Sequence, residues 1–554
     1  MKNVVRCCAV LLALSCLLCV GASAQALSVR RADGVGEAVN LWERDGGDRF
    51  LFLPAYMQGQ PLIVSYGDAQ ALRMGDLAIG DGETTDAIEG GCALVVTEGG
   101  KEHRVTVMAS ENLPAVHLTT QSGSLAYLHA KKGNKEPGAM TIVAADGSVD
   151  FSGELQSVKG HGNATFAYEK KSYQIKLGEK SALLGMGEGK CYVLLANQHE
   201  NSLLRNRLTL TLAAELGLRF TPECRSVDLY VNGEYRGSYL LTDKVTISSG
   251  CVDITDGEDA LERANEAFIQ NGFEPEAYGE ARYVEGTHKG SSWPIEPEDV
   301  TGGYLFELEY ETRYKDEESG VVTARGQAVV VKAPKRMSEA QGAYASELLN
   351  RFERAIFAQD GVDPQSGMHY AQIADLPSLA RKYLIEEVSK NYDANRSSQY
   401  FYKDSDHVDP LLYAGSVWDY DSAWGNYARQ EKLDVAAPTG LIADRASAYS
   451  WWSALCRQED FHAEVVRVYE QELRPMLMGV AGEWAMSAGR QLRTLDAYER
   501  ELSASAAMNF ARWRVLNHAT RAVKTGATYS ENIETLRTWI VRRVAWLDER
   551  WGVP

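Results

Sequence analysis

Two short segments of this sequence decide how its fold is interpreted. They read Asn391-Tyr392-Asp393-Ala394-Asn395-Arg396-Ser397-Ser398 and, about one strand hairpin later, Trp418-Asp419-Tyr420-Asp421-Ser422-Ala423-Trp424-Gly425. Asp393 comes just after a predicted helix. Asp419 and Asp421 stand at i and i+2, so they share one face if the segment is extended. The pattern predicts a proton-accepting carboxylate beside a metal site, because partly buried carboxylates between aromatic residues favour a bound cation.

The sequence around these segments is helix-rich from about residue 338 to residue 554. Amphipathic patterns predict helices at about 343–357, 379–389, 460–473, 495–504, 508–522 and 530–551. The preceding residues, 114–337, are rich in predicted strands. This division predicts an α+β fold with two lobes and a cleft between them.

The strand-rich part contains a glycine turn followed by a strand with a lysine. Gly160 and Gly162, with Asn163 directly after them, permit a tight turn whose backbone amides could hold phosphate. In the next predicted strand Gln174 and Lys176 share a face, so Lys176 could reach a nucleotide held under the glycines. Taken alone, these residues are explained more simply by an ordinary hairpin turn and a solvated lysine.

A helix and a hairpin follow. The helix is predicted at 202–216 and ends at Gly217, and Asn232-Gly233 between two alternating apolar runs predicts a tight hairpin. The order of glycine turn, lysine strand, helix and hairpin is that of the amino-terminal lobe of a protein kinase, although an unrelated α+β domain could share it. Residues 255–300 are polar and acidic without sustained periodicity, which predicts an insertion or long loop.

The first hundred residues differ from the rest. Residues 25–113 read as short strands separated by Gly-Asp, Gly-Gly and Asp-Gly turns, which predicts a small β-sandwich-like accessory domain. Residues 1–24 carry Lys2 and Arg6, an apolar run and a small-residue cleavage site ending at Ala24, the pattern of a secretory signal peptide. We therefore expect a secreted or extracytoplasmic protein. A lipoprotein anchor at Cys16 or Cys19 is the less favoured alternative, because the residues before each cysteine fit such a site poorly.

The net charge excludes some classes of binding partner, and the cysteine content indicates the state of the thiols. The net charge of −19 argues against nucleic acids and anionic membranes, both of which are bound by clustered Lys and Arg. No stretch after the signal peptide is long and apolar enough for an integral membrane span. Five cysteines remain after residue 24, an odd and widely spaced set that predicts mostly buried thiols rather than a disulfide framework.

Several motifs in this order resemble the CotH kinase family, the spore-coat type of secreted atypical protein kinase. The family pattern of a Gly-x-Gly-Asn-x-Thr turn, a Lys-x-Tyr-x-Ile-Lys-Leu strand, a Leu-Leu-Gly-Met segment, a Leu-Leu-Ala-Asn strand end and an Arg-Asn helix start is matched at residues 160–165, 171–177, 183–186, 194–197 and 205–206. The hairpin at 230–240 is similar to the Tyr-x-Asn-Gly-Glu-Tyr signature. The resemblance covers residues 113–430 and implies an atypical bilobal protein-kinase-like domain.

The resemblance also implies roles for individual residues. Gly160, Gly162, Asn163 and Lys176 would bind ATP, with Lys176 on its phosphates and Glu215 as a candidate for bracing that lysine. Asp393 would accept the proton of an incoming hydroxyl, and Asp419 or Asp421 would bind Mg²⁺ or Mn²⁺. Ser398 stands five residues after Asp393, where ordinary kinases place a metal-binding Asn, and would be a weak further ligand.

The function implied is transfer of the γ-phosphoryl group of ATP to a hydroxyl of a secreted or cell-surface protein. The acidic charge favours a basic or neutral protein substrate. Two alternatives stay open. One is a non-catalytic surface or coat-assembly scaffold that keeps the fold. The other is a glycosyltransferase, because Asp419-Tyr420-Asp421 has the DxD spacing that holds a metal and a sugar nucleotide.

Overall fold

A computed structural model describes residues 27–280, 282–428, 434–444, 450–517, 519–520, 523–524 and 526–554. The predicted signal peptide, residues 1–24, lies outside the described residues. Within the described part of the chain, none of the helices combines the length and the apolar character that a membrane crossing requires. All five cysteines found there are free thiols.

The N-terminal region consists of two sheets packed face to face. Their strands are β1 (Ser28–Arg31), β2 (Val39–Asn40), β3 (Trp42–Glu43), β4 (Arg49–Leu53), β5 (Leu62–Ser65), β6 (Ala71–Met74), β7 (Leu77–Ile79), β8 (Thr84–Thr85), β9 (Ala93–Glu98) and β10 (Lys101–Ala109). The sheet orders are β2-β1-β5-β8 and β3-β4-β10-β9-β6-β7. Leu94 and Val96 of one sheet share a core with Val29 and Val64 of the other. These sheets occupy the span predicted as a β-sandwich-like domain.

Seven strands then close into a barrel in the order β11-β12-β13-β14-β15-β17-β16. They are β11 (Ala115–Thr120), β12 (Lys135–Val143), β13 (Val149–His161), β14 (Ser172–Ser181), β15 (Gly189–Leu195), β16 (Cys224–Val231) and β17 (Glu234–Asp243). Alternation along β14 buries Tyr173, Ile175 and Leu177 inside the barrel. The predicted hairpin is confirmed, since β16 and β17 pair around Asn232-Gly233, both with positive φ (52° and 79°).

A second seven-stranded sheet has the order β18-β19-β21-β22-β20-β23-β24. Its strands are β18 (Glu276–Gly279), β19 (Thr287–Ser292), β20 (Tyr304–Leu308), β21 (Gly320–Val322), β22 (Ala328–Ala333), β23 (Gln399–Lys403) and β24 (Leu412–Ala414). β23 and β24 form the hairpin expected between the two carboxylate segments. Strands from both sides of the predicted boundary at 337/338 therefore share one sheet. The fold is α+β, but a strand half and a helix half are not separate.

Residues 255–300 differ from the predicted insertion or long loop. They form two short helices, α3 (Gly257–Ala264) and α4 (Glu266–Gln270), followed by strands β18 and β19. The alternation that predicts strands is absent here for two reasons. β18 is a mostly exposed edge strand, and an inward position of β19 holds a lysine. Buried Lys289 donates to the carbonyl oxygens of Tyr314 (2.5 Å) and Glu317 (2.6 Å), which replaces the apolar residue that periodicity would show.

The remaining helices pack around these sheets. They are α1 (Ala126–Ala130), α2 (Arg205–Glu215), α5 (Glu311–Tyr314), α6 (Glu339–Phe357), α7 (Tyr370–Ile373), α8 (Leu376–Ser389), α9 (Trp451–Leu455), α10 (Glu459–Val468), α11 (Arg474–Ala481), α12 (Leu495–Arg512) and α13 (Tyr529–Trp551), with a small hairpin of β25 (Ala519–Thr520) and β26 (Val523–Lys524). Helix α12 returns to the barrel, where Ser505 Oγ donates to Asp228 Oδ2 at 2.7 Å and Asn509 Oδ1 accepts from Lys170 Nζ at 2.8 Å. These contacts fix α12 against the barrel.

Candidate active site

A cleft of about 980 Å³ lies between the barrel and the second sheet. Its lining includes seven of the predicted site residues, namely Gly160, Gly162, Asn163, Asp393, Ser398, Asp419 and Asp421. The eighth, Lys176, is not among the lining residues. The two carboxylate segments therefore meet the glycine turn at one site, although that turn lies more than 200 residues earlier in the sequence.

The glycine turn follows β13 at the edge of the cleft. A side chain at position 160 would meet the ring of Phe166 at 2.3 Å, and one at 162 would meet Thr165 Oγ1 at 1.9 Å with φ at +95°. Both glycines are therefore required by packing within the turn itself. Asn163 Oδ1 accepts a short hydrogen bond from Lys132 Nζ, which carries a positive charge to the same edge.

Lys176 lies outside the cleft. Its side chain is exposed on β14, whereas Gln174, on the same face, does line the cleft. Two residues along a strand are about 6.5 Å, so the cleft ends before it reaches Lys176. The proposed brace is also absent, because Glu215 accepts from Arg490 Nη1 (3.3 Å) and from the backbone of Gln491 (2.6 Å).

Two other lysines, Lys159 and Lys244, face the cleft from the barrel. Burial lowers the pKa of both, and in each case the positive charge of a neighbouring lysine adds to this effect. Burial, with a smaller effect of the charges on Lys244 and Lys159, lowers the pKa of His161 to about 4. Neither ammonium group makes a hydrogen bond or ion pair within the described part of the chain. Partly buried ammonium groups that form no ion pair favour the binding of an anion. The sequence contained a signal for one of them, since Lys159 directly precedes the glycine turn.

The segment 391–398 follows α8, which ends at Lys390 in the left-handed conformation (φ 49°). Asn391 Oδ1 accepts from the backbone N–H of Asp393 at 3.2 Å, which fixes the start of the turn. Tyr310 donates its hydroxyl to Asp393 Oδ1 at 3.0 Å. The amide of Asn395 donates to the carbonyl oxygens of Ile442 and Ala443, so Asn395 secures a neighbouring loop.

The segment 418–425 is a loop after β24 and not an extended strand, which corrects the predicted geometry. Asp419 has a φ of +69°, so the alternation of faces along a strand does not apply. Tyr420 turns into the core between two aspartates that both line the cleft. The start of α2 holds this loop, because Asn206 Oδ1 accepts from the backbone N–H of Tyr420 at 2.8 Å. Asn206 of the Arg-Asn motif therefore positions the loop that carries Asp419 and Asp421.

The donor set fits a magnesium ion that is bound mainly through its substrate. The described residues contain no group of three or more His, Cys, Asp or Glu side chains able to hold a metal. Asp419, Asp421 and the nearby Ser398 do line one cleft. Mg²⁺ in phosphoryl-transfer sites is held by one or two carboxylates together with waters and substrate phosphates. Two carboxylates and a hydroxyl are compatible with that mode.

Sequence analysis did not identify Glu309, a buried acid at the end of β20 that lines the cleft. Its Oε1 accepts a short hydrogen bond from Ser397 Oγ and one from Arg313 Nη1 at 3.0 Å, while its buried Oε2 has no partner in the described residues. Burial raises the pKa of Glu309 to about 7. No local pattern marks it, because a glutamate at the end of an apolar strand looks like a surface residue.

This pKa predicts how Glu309→Gln changes stability with pH. A carboxyl group whose pKa rises on folding favours the folded state below its unfolded value near 4.5 and loses that contribution as pH rises towards 7. We expect the variant to match the parent at pH 4.5. At pH 8 the free energy of unfolding of the variant should exceed that of the parent by on the order of 2 kcal/mol. Urea unfolding at both pH values measures the difference.

Glu311→Gln is the matched control for that experiment. Glu311 lies two residues further on and forms an exposed ion pair with Lys315 Nζ at 2.7 Å. Its substitution should change the free energy of unfolding by the same small amount at both pH values. Equal pH dependence for parent and Glu309→Gln would contradict the raised pKa.

No curated protein matches this chain. The family described as CotH kinase protein matches residues 158–547. This match covers the glycine turn, Lys159, Lys244 and both carboxylate loops, and it spans more than half of the 554 residues. The chain therefore belongs to the CotH kinase family.

Proposed function

We propose that this protein is an exported protein kinase that transfers the γ-phosphoryl group of ATP to a hydroxyl group of a secreted or cell-surface protein. The supporting observation is one cleft lined by Asp393, Asp419 and Asp421 and by two lysines, Lys159 and Lys244, whose ammonium groups form no ion pair in the described part of the chain. Phosphoryl transfer needs positioning and charge neutralisation more than covalent chemistry, and this arrangement supplies both.

The barrel would then act as the nucleotide lobe, and the second sheet with its helices as the lobe that holds the acceptor. Lys159 and Lys244 would contact the phosphates in place of Lys176. The rings of His161 and Trp418 meet edge to face, 6.2 Å between centroids, so the glycine turn touches the carboxylate loop. Phosphates held by the lysines would therefore lie beside Asp419 and Asp421, which would hold Mg²⁺. That ion, when bound, neutralises charge on the phosphate oxygens.

Asp393 would receive the proton of the acceptor hydroxyl. As that O–H bond breaks, the hydroxyl oxygen forms a bond to the γ-phosphorus, and the bond from this phosphorus to the bridging oxygen of ADP breaks. The electron pair leaves with ADP. Tyr310 donates its hydroxyl to Asp393 Oδ1 at 3.0 Å, which orients this carboxylate in the cleft.

The test is transfer of labelled γ-phosphate by purified residues 25–554 with Mg²⁺ or Mn²⁺, onto the protein itself and onto a basic acceptor protein. Asp421→Ala should abolish incorporation. Asp45→Ala, at an exposed turn of the N-terminal sheets, should leave it unchanged. Stabilisation by ATP without transfer would favour the scaffold, and stabilisation by sugar nucleotides instead of ATP would favour the glycosyltransferase. Absence of any nucleotide binding would exclude the kinase.

A further inference from the structure

Beneath the cleft, four buried side chains connect the two carboxylate loops. Lys382 and Glu386 lie one turn apart on α8, Asn391 belongs to the first loop, and Tyr420 belongs to the second. All four have 0% exposed surface. Because they touch one another, the two loops are linked through a single buried group.

That group is the carboxylate of Glu386, whose two oxygens face different loops. Oε1 accepts from Lys382 Nζ at 2.6 Å and a short hydrogen bond from the hydroxyl of Tyr420. Oε2 accepts from Asn391 Nδ2 at 2.8 Å. Asn391 Oδ1 in turn accepts the backbone N–H of Asp393 at 3.2 Å. One oxygen is therefore linked to Asp393 and the other to the residue between Asp419 and Asp421.

Stability alone does not account for this network. A fully buried ion pair such as Lys382 with Glu386 gains little net free energy, because desolvation offsets the attraction between the charges, and apolar residues of similar size often replace it without loss. Its value lies in directed hydrogen bonds, which fix orientation in a way that apolar packing does not. The loop of Tyr420 also has a second anchor in Asn206, so the Glu386 contact adjusts a loop that is already held.

We propose that Glu386 is a positioning residue that sets the proton-accepting carboxylate and the metal-binding carboxylates relative to each other. The proposal rests on the proposed kinase function. Glu386 has two arms, its hydrogen bond with Tyr420 and its hydrogen bond with Asn391, and they have separate effects. The Tyr420 arm controls the affinity of the metal site. The Asn391 arm controls the position of the proton acceptor, Asp393. Partners one shell behind a metal ligand typically change metal affinity by 10–100-fold.

The experiment measures Mn²⁺ binding to residues 25–554 by electron paramagnetic resonance, with a non-hydrolysable ATP analogue present. Tyr420→Phe removes only the hydroxyl and should raise the Kd for Mn²⁺ about tenfold. Tyr469→Phe is the matched control, because its buried hydroxyl donates to Asp548 Oδ1 at 2.8 Å among the C-terminal helices. It should change Tm by a similar amount and leave the Kd for Mn²⁺ within twofold.

The other arm is tested by Asn391→Leu in the transfer assay. We expect kcat to fall at least tenfold while the Kd for Mn²⁺ stays within twofold of the parent. The proposal is overturned if Tyr420→Phe and Tyr469→Phe bind Mn²⁺ alike, or if Asn391→Leu retains the parental kcat. A parent that binds neither Mn²⁺ nor nucleotide would overturn the kinase function itself, which separates the two failures.

Discussion

Asp393→Asn is expected to lower kcat for phosphate transfer by about 10³-fold, within the range that a positioned acid or base contributes. The amide has the shape of the carboxylate, and its oxygen can still accept the hydroxyl of Tyr310. What it loses is the ability to take the proton from the acceptor hydroxyl. The Kd for ATP should stay within a few-fold of the parent, because Lys159 and Lys244 are unchanged. Rapid-quench measurement of the transfer step, with separate titration of ATP binding, checks both values.

Tyr310→Phe is the companion variant. It removes the hydrogen bond that orients Asp393 and leaves the carboxylate in place. We therefore expect kcat to fall much less, by about tenfold. A tenfold loss corresponds to the free energy of one hydrogen bond to a charged group. A larger loss for Tyr310→Phe than for Asp393→Asn would show that Asp393 does not accept the proton. Full activity of Asp393→Asn would show that another group, or water, does so.

The two carboxylate loops could be located from sequence because their signals are local. Helix α8 was predicted at 379–389 and is observed at Leu376–Ser389, so Asp393 does follow directly on a helix. The hairpin between the loops was also expected and exists as β23 and β24. Each of these features depends on residues within one or two turns of chain, where periodicity and capping act directly.

Features that depend on distant pairing could not be predicted in the same way. Closure of the barrel requires β11 to pair in parallel with β16, more than 100 residues later, and no local pattern encodes that register. The second sheet likewise pairs β20 with β23 across the predicted boundary between the lobes. The loop geometry at Asp419 was missed for a related reason, since its positive φ is stabilised by contacts with α2.

The local structure around Lys176 was predicted correctly, yet its side chain lies outside the cleft. Its strand, its face and its neighbour Gln174 are as the alternation indicates, and Gln174 does line the cleft. The length of the cleft along β14 is set by the second sheet, which the alternation of one strand does not describe. Lys159 pairs with Gln174 on the adjacent strand, so the lysine that faces the cleft is the neighbour across the sheet.

Lys159→Met and Lys244→Met are each expected to raise the Kd for ATP by about 10–100-fold, because a charge-assisted hydrogen bond to phosphate is worth about 1.5–3 kcal/mol. Both side chains line the cleft, and burial disfavours the charged form of both, so the free protein should not be destabilised by their loss. We expect Tm without nucleotide to stay the same or rise. Titration calorimetry with ATP and Mg²⁺ measures the affinity.

Lys176→Met provides the control, since it removes the same charge from the same barrel at an exposed position outside the cleft. Its Kd for ATP should equal that of the parent, and the stabilisation of the parent by ATP should be retained. If Lys176→Met weakened ATP binding while Lys159→Met and Lys244→Met did not, the phosphates would bind along β14 beyond the cleft. The assignment of Asp419 and Asp421 to the same phosphates would then fail as well, because their loop meets the barrel at His161.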